Sequence, residues 1–291
     1  MQGTTEKLGI IGLGLLGSAL AERLLAHGFH IVGYDVRPEQ LDKLRRLGGS
    51  PARSAAAVSA ECQRLLLSLP TSEVAAAVLD EIKPHLHPGA VVMDTTTGEP
   101  EEMARFGARL AECGVAYLDA TVGGSSSQVL AGEAIIICGG DPAAYARCTD
   151  VFAVCARRAF HVGPCGSGAR MKLVLNLVLG LNRAALAEGL EYARACGIDP
   201  AQALEVLKAG PAYSRVMDTK GPKMLAGDFT PEARLSQHLK DVRLILASGE
   251  RSGAKLPLSR LHRTLLEEVE RAGYGSADNS VVIKAFQREQ A

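Results

Sequence analysis

The sequence predicts an α/β domain over residues 1–163 followed by an all-helical domain over residues 164–291. Three observations carry that prediction. Short β-rich runs alternate with longer helical ones from Lys7 to about Phe160, the signature of a mainly parallel sheet covered on both faces. Beyond "HVGPCGSGA" the β signal disappears and apolar residues recur at a period near 3.6. A cluster of glycine and proline at 163–168 separates the two regimes.

Taken in order, the strands are expected at "LGIIG", "HIVGYD", "RLLLSL", "AVVMDT", "AYLDAT", "AIIICGG" and "RRAFHVG", with helices between most of them. The last strands have room to depart from the parallel order. In the second domain, helical periodicity runs through 169–195, 200–208, 232–252 and 256–273, with "GIDP" and "KLP" as punctuation. There is no internal repeat and no low-complexity segment beyond short alanine runs.

Composition removes several function classes. The 291 residues are 47% hydrophobic and 22% charged, as in an ordinary soluble globular chain. Lys plus Arg and Asp plus Glu each number 32, so bulk charge attracts neither nucleic acid nor an anionic membrane. The seven cysteines are scattered, odd in number and without a C-x-x-C pair, which argues against a zinc site or a disulfide framework and for a reducing, cytoplasmic compartment. The apolar stretch Leu8 to Leu20 is interrupted by four glycines and lacks a strongly basic leader, so it does not read as a signal sequence. No uninterrupted apolar run reaches the roughly 18–20 residues of a membrane span.

"GLGLLG", residues 12–17, places Gly12, Gly14 and Gly17 in the G-x-G-x-x-G pattern between a strand and a helix. Such glycines permit a tight turn, close approach of a pyrophosphate and close packing of helix on strand, while the helix N-terminus offers N–H groups to the phosphates. With Leu13, Leu15 and Leu16 they form the candidate dinucleotide loop of a Rossmann-type domain. The next strand ends at Asp35, 18 residues after Gly17, where a carboxylate can accept hydrogen bonds from the adenosine ribose and would repel a 2′-phosphate. NAD is therefore expected over NADP. Arg37, two residues on, can contact the adenine or a phosphate.

Lys172 and Asn176 are four residues apart in the apolar run "GSGARMKLVLNLVLG", which puts them on one helix face. Burying a lone cation is costly, so the lysine either snorkels to solvent or lines a site. Acid or base work near neutrality needs the ammonium form disfavoured, and partial burial does that. A second constellation, "LDATVGGSSSQVLAGEAIIICGG" (118–140), runs from a strand into glycines and serines whose N–H and hydroxyl groups can hold a carboxylate. The loops "SLPTSEV" and "DTTTGEP" also follow strand ends, where ligands of open α/β sheets collect, and are candidates for the nicotinamide half.

These motifs, in this order, resemble the β-hydroxyacid dehydrogenase family, the group of 3-hydroxyisobutyrate dehydrogenase and tartronate semialdehyde reductase, related more distantly to 6-phosphogluconate dehydrogenase. The match covers nearly the whole chain. "GLGLLG" resembles the family's G-L-G-x-M-G, "DATVGGSSSQVLAGEAIIICGG" its substrate loop, "GSGARMKLVLN" its G-x-G-x-x-x-K-x-x-x-N segment and "HLKDVRLIL" (238–246) its K-D-x-x-L segment. The resemblance implies Lys172 as the catalytic lysine and Asn176 as a substrate-positioning residue. It also implies Lys240, with Asp241, closing over substrate and nicotinamide, and Leu69, Pro70 and Thr97 contacting the cofactor.

One departure stands out. The family's usual D-A-P-V-S-G-G reads Asp119-Ala120-Thr121-Val122-Gly123-Gly124-Ser125, so glycine replaces the familiar serine at 123 and Ser125 follows two residues later. Gly123, Gly124 and Ser125 are the expected substrate contacts, with room for a bulkier or differently charged acid and with Ser126 as a further donor.

The implied reaction is hydride transfer between NAD, or NADP, and a small 3-hydroxy acid or its semialdehyde. Sulfolactaldehyde reductases of the family share the glycine but carry an arginine where Gly124 stands. Imine reductases, a second alternative, usually lack the lysine. A non-catalytic NAD-binding module is the alternative from another class, since the family includes a chromatin-associated member without the lysine; retained Lys172 speaks against it. The leucine- and alanine-rich helical half suggests a homodimer or homotetramer.

Overall fold

The computed structural model of the chain describes residues 7–287. The chain divides into two compact units between Lys172 and Leu173, inside one long helix.

The first unit holds an eight-stranded sheet. Its strands are β1 (Lys7–Ile11), β2 (His30–Tyr34), β3 (Ser50–Pro51), β4 (Arg64–Leu67), β5 (Val91–Asp94), β6 (Ala116–Gly123), β7 (Ile135–Gly139) and β8 (Arg158–His161), in the spatial order β3-β2-β1-β4-β5-β6-β7-β8. Between them lie α1 (Leu15–Ala26), α2 (Pro38–Arg46), α3 (Ala55–Glu61), α4 (Ser72–Ile82), α5 (Pro100–Ala111), α6 (Ser126–Leu130), α7 (Pro142–Ala146) and α8 (Thr149–Cys155). Successive strand residues point to opposite faces. Ile10, Leu66 and Met93 therefore join one buried cluster with Leu20, Leu24 and Phe152, while Ile11, Leu65, Leu67 and Val92 join another with Leu79 and Met103. Both faces are covered, as the near-continuous apolar runs predict.

The seven expected strands are all present, and an eighth, β3, is added. It is two residues long, contains Pro51 and sits at the sheet edge, where a missing N–H is tolerated, so it leaves almost no sequence signal. Among the described strands of the sheet, only β6 and β7 pair antiparallel. Their connection, residues 124–134, spans 11 positions with only five in α6, too few for a parallel crossover.

β6 is therefore shared. Its first half pairs with β5 from Ala116 to Asp119, and from Asp119 to Gly123 it pairs with β7. β5 ends level with Asp119, and β6 continues four residues further, roughly 13 Å at strand rise.

The second unit is all helix: α9 (Ser167–Ala195), which begins in the first unit, then α10 (Pro200–Ala209), α11 (Val216–Ala226), α12 (Leu235–Arg251) and α13 (Pro257–Val269). A wide turn over Glu270–Tyr274 and a 3₁₀ segment over Asn279–Phe286 follow. Leu186, Leu190, Leu204, Leu239, Leu266 and Val281 lie in its core. The periodicity over 256–273 overruns the α-helix, which stops at Val269; Gly273, at φ +92°, then turns the chain.

α11 was not expected, because Gly221 and Pro222 inside it suppress the pattern. Gly221 has a packing reason: a Cβ there would lie 2.7 Å from Leu204 Cδ1 of α10. Asp278, fully buried, accepts from Lys220 Nζ of α11 at 3.0 Å and from the backbone N–H groups of Glu232, Ala233 and Ser280, tying three segments together.

Candidate active site

Each glycine of the β1–α1 turn has its own steric reason. Gly12 lies at φ +91°, and a Cβ there would come within 2.3 Å of the Ser68 carbonyl oxygen. A Cβ on Gly17 would come within 2.0 Å of the Gly12 carbonyl oxygen, so α1 can start this close to β1 only with glycine. At Gly14 the nearest atom would be Arg37 Nη2 at 3.8 Å, which leaves the backbone approachable from outside. That is the division of labour a pyrophosphate-binding turn needs, and the first N–H groups of α1 point to the same place. The turn lies at β1, where the strand order reverses, with β2 and β4 as parallel neighbours on either side.

Asp35, just beyond β2, is buried, and its carboxylate is already organised. Oδ2 accepts from Leu13 N–H at 2.7 Å and Oδ1 from Arg37 N–H at 2.9 Å, with Arg37 Nε 3.3 Å from Oδ1. The carboxylate thus fixes the glycine loop, with lone pairs remaining for a ribose hydroxyl. The Arg37 side chain is half exposed beside it, and Val36, between the two, is 82% exposed. Leu15 is exposed at the start of α1, whereas Leu13 and Leu16 pack inward.

At the next two strand ends, Leu69 N–H donates to Thr96 Oγ1 at 3.3 Å, Thr96 N–H to Asp94 Oδ1 at 2.8 Å, and Thr95 Oγ1 to the Leu67 carbonyl at 2.8 Å. Asp94 Oδ2 accepts from Tyr117 OH at 2.7 Å. Burial raises the Asp94 carboxyl, against the opposing bonds from Thr96 and Tyr117, and raises the Tyr117 hydroxyl well above its ordinary value. The fixed loops carry Leu69, Pro70 and Thr97 on the same carboxyl side of the parallel sheet as the glycine turn.

The β6 extension meets the start of α9. Lys172 is 9% exposed and donates from Nζ to the Val122 carbonyl at 2.7 Å, one residue before Gly123. The lysine is therefore neither a surface cation nor a snorkelling one. Its Nζ lies at the entrance to the loop Gly123–Gly124–Ser125.

Within that loop, Ser125 caps α6: its Oγ accepts from Gln128 N–H at 3.3 Å while Gln128 Oε1 accepts from Ser125 N–H at 2.9 Å, a reciprocal capping box. Ser125 Oγ also lies 2.7 Å from Ser127 Oγ. A Cβ on Gly124 would come within 3.1 Å of Ala134 Cβ, so the turn is tight.

In the second unit, Asn176 is buried, and its Nδ2 donates to Asp241 Oδ2 of α12 at 2.9 Å. Lys240 Nζ lies 3.4 Å from Asp241 Oδ1. Because the carboxylate takes an amide N–H, the Asn176 Oδ1 is turned away as an acceptor. Asn176, Lys240 and Asp241 thus form one cluster, and Lys172 sits one helical turn before Asn176 on α9.

Residues 7–163 match the NAD binding domain of 6-phosphogluconate dehydrogenase, and residues 166–286 match the family described as NAD-binding of NADP-dependent 3-hydroxyisobutyrate dehydrogenase. The chain belongs to the β-hydroxyacid dehydrogenase family. Among its relatives, L-threonate dehydrogenase of Cupriavidus necator is 31% identical over 97% of this chain and 96% of its own. A solved 3-hydroxyisobutyrate dehydrogenase from Salmonella typhimurium superposes with a TM-score of 0.89 at 26% identity, covering 97% of this chain and 100% of that one. Psf3, solved in complex with NADP+ and 2-OPP, gives 0.86 at 25% identity over 96% and 100%. As a β-hydroxyacid dehydrogenase, the protein is an NAD(P)-dependent oxidoreductase acting on a hydroxy acid.

Two residues around this arrangement were not marked as functional by the sequence: Val36, and Asp119, whose carboxylate accepts from the Gly166 and Ala169 N–H groups at the start of α9. Val36 had no motif to mark it. Asp119, in the middle of the apolar strand "AYLDAT", did carry a signal, because a carboxylate there must be buried and must find donors.

Proposed function

We propose that this enzyme interconverts a small 3-hydroxy acid and the matching semialdehyde, of the 3-hydroxyisobutyrate or tartronate semialdehyde type. The observation that carries this reading is the buried Lys172 Nζ at the Val122 carbonyl, beside the Gly123–Ser125 loop. In oxidation, Lys172 Nζ takes the hydroxyl proton while the carbinol C–H bond breaks and the C=O bond forms; in reduction it returns that proton. The dinucleotide, when bound, accepts or supplies the hydride. The backbone of Gly123 and Gly124 and the hydroxyl of Ser125, whose own N–H is held by Gln128, receive the acid group, and Asn176 and Lys240 orient the substrate. Gly12, Leu13, Gly14, Leu15, Leu16 and Gly17 hold the pyrophosphate, Asp35 the ribose and Arg37 the adenine side. Leu69, Pro70, Thr97 and Lys240 contact the nicotinamide half. Asp35 favours NAD, with Arg37 permitting NADP.

Residues 1–163 serve as the nucleotide domain and 164–291 as the substrate and assembly domain. Met171, Val174, Val178 and Leu179 expose an apolar stripe along α9, which supports assembly into a homodimer or homotetramer. Seven free cysteines support a reducing, cytoplasmic location.

The test is an absorbance assay of the purified protein with NAD and NADP against 3-hydroxy acids and semialdehydes, beside Lys172→Ala. The variant is expected to lose at least about 100-fold in kcat. Wild-type turnover in the variant would overturn the role of the lysine. A second reading, a polyhydroxy acid such as L-threonate, is favoured by Gly123: with no side chain at the end of β6, a larger acid fits, so L-threonate belongs in the same panel.

A further inference from the structure

α9 starts without a local cap. Gly166, the residue before the helix, lies at φ +92°, and a Cβ there would come within 2.6 Å of the Pro100 carbonyl oxygen. A serine or aspartate, the usual N-cap, is thereby barred from that position. Its work is done from β6, where Asp119 Oδ1 accepts from Gly166 N–H at 3.0 Å and Asp119 Oδ2 from Ala169 N–H at 2.8 Å. A negative charge at a helix N-terminus also meets the positive end of the helix dipole.

The docking is close. A Cβ on Gly168 would lie 2.2 Å from the Asp119 carbonyl oxygen and 2.9 Å from that of Ile137. Thr121 Oγ1 lies 3.4 Å from the Gly168 carbonyl. Three residues after Ala169 comes Lys172, and three residues after Asp119 comes Val122, whose carbonyl receives the lysine. The strand that carries the substrate loop therefore anchors the helix that carries the lysine at two points, three residues apart on each element.

We propose that Asp119 is the positioning residue for Lys172: a cap supplied from the strand, which sets how deep α9 seats against β6 and hence where the Lys172 Nζ stands relative to the Gly123–Ser125 loop. The carboxylate touches neither substrate nor cofactor and acts through the helix. This inference rests on the proposed role of Lys172 as acid and base.

The experiment is a double-mutant cycle of Asp119→Asn with Lys172→Met, with kcat, substrate KM and dinucleotide Kd measured for each protein. Asparagine turns an N–H toward one of the two backbone donors, so the helix end should shift. A misplacement of about 1 Å costs on the order of 100-fold. Asp119→Asn alone should lower kcat about 10- to 100-fold, with dinucleotide Kd within about 2-fold, and should have no further effect on the residual rate of Lys172→Met. Additive losses in the cycle, or parallel losses in kcat, KM and dinucleotide Kd, would overturn it, since a merely structural residue behaves that way. Full activity of Lys172→Met would instead refute the role of the lysine. If Asp119→Asn does not fold, Gly168→Ala takes its place in the cycle with the same expectations.

Discussion

A single methyl group is enough to test the nucleotide turn. Gly17→Ala would place a Cβ 2.0 Å from the Gly12 carbonyl oxygen, which cannot yield without moving β1 or α1, so dinucleotide affinity should fall by at least about 10-fold in a fluorescence titration. Unchanged affinity would mean that the turn does not hold the pyrophosphate. Arg37→Ala should raise KM for NADP about 10-fold or more, because a charge-assisted contact to a 2′-phosphate is lost, and leave KM for NAD within about 3-fold. Equal changes for both would remove Arg37 from cofactor choice. The glycines, Asp35 and Lys172 were legible in the sequence because each breaks its surroundings in a way that has few physical excuses. What Asp35 does for its own loop was not, since two of its acceptor positions go to Leu13 and Arg37 N–H groups that only folding brings near. Ser125 reads as a substrate donor in sequence, yet its hydroxyl is also a helix cap, a function visible only once α6 is seen to begin there.

Among the elements, the strands were legible from their unbroken apolar runs and the long helices from their period, whereas α11 and β3 were obscured by the residues that let them pack or end. The antiparallel turn from β6 to β7 follows from loop length, a quantity the sequence contains. The bracket around Asp278 had no local sign at all, because its partners come from α11, the segment before α12 and the 3₁₀ segment. Burial alone would raise the Asp278 carboxyl, but the adjacent Lys220 charge and the Ser280 bonds outweigh it and bring it from 3.8 down to about 2. A carboxylate depressed on folding contributes stability above its unfolded value, lost as pH falls through about 2; the shift amounts to about 2 kcal/mol. Asp278→Asn should therefore destabilise the chain at neutral pH by about 2 kcal/mol or more in urea titrations, with the difference from wild type shrinking below pH 3. A constant difference across that range would show that the charge is not what matters.

For the molecule as a whole, the response to acid is set in part by one imidazole. His262 is 3% exposed, and burial first, then the charge of Arg183, pushes it from 6.5 down to about 4. A histidine depressed on folding contributes stability fully above 6.5, lost as pH falls toward 4, and the shift corresponds to about 3 kcal/mol. Wild type should lose stability between about pH 6.5 and 4 more steeply than His262→Gln, whatever their offset at pH 7; parallel curves would exclude this group as the cause. Arg183 and the His238 ring, 5.2 Å from that of His262, make a second positive charge there costly. The thiols give the molecule a different kind of usefulness. Cys62, Cys138, Cys148 and Cys155 are buried, and burial pushes Cys155 and the half-buried Cys165 up to about 12, far from the reactive thiolate. Cys113 and Cys196 are exposed, the first in the α/β unit and the second in the helical one. The native chain thus carries one exposed thiol on each unit, so a donor and acceptor pair attached in either order can report the distance between them during turnover without removal of a single cysteine.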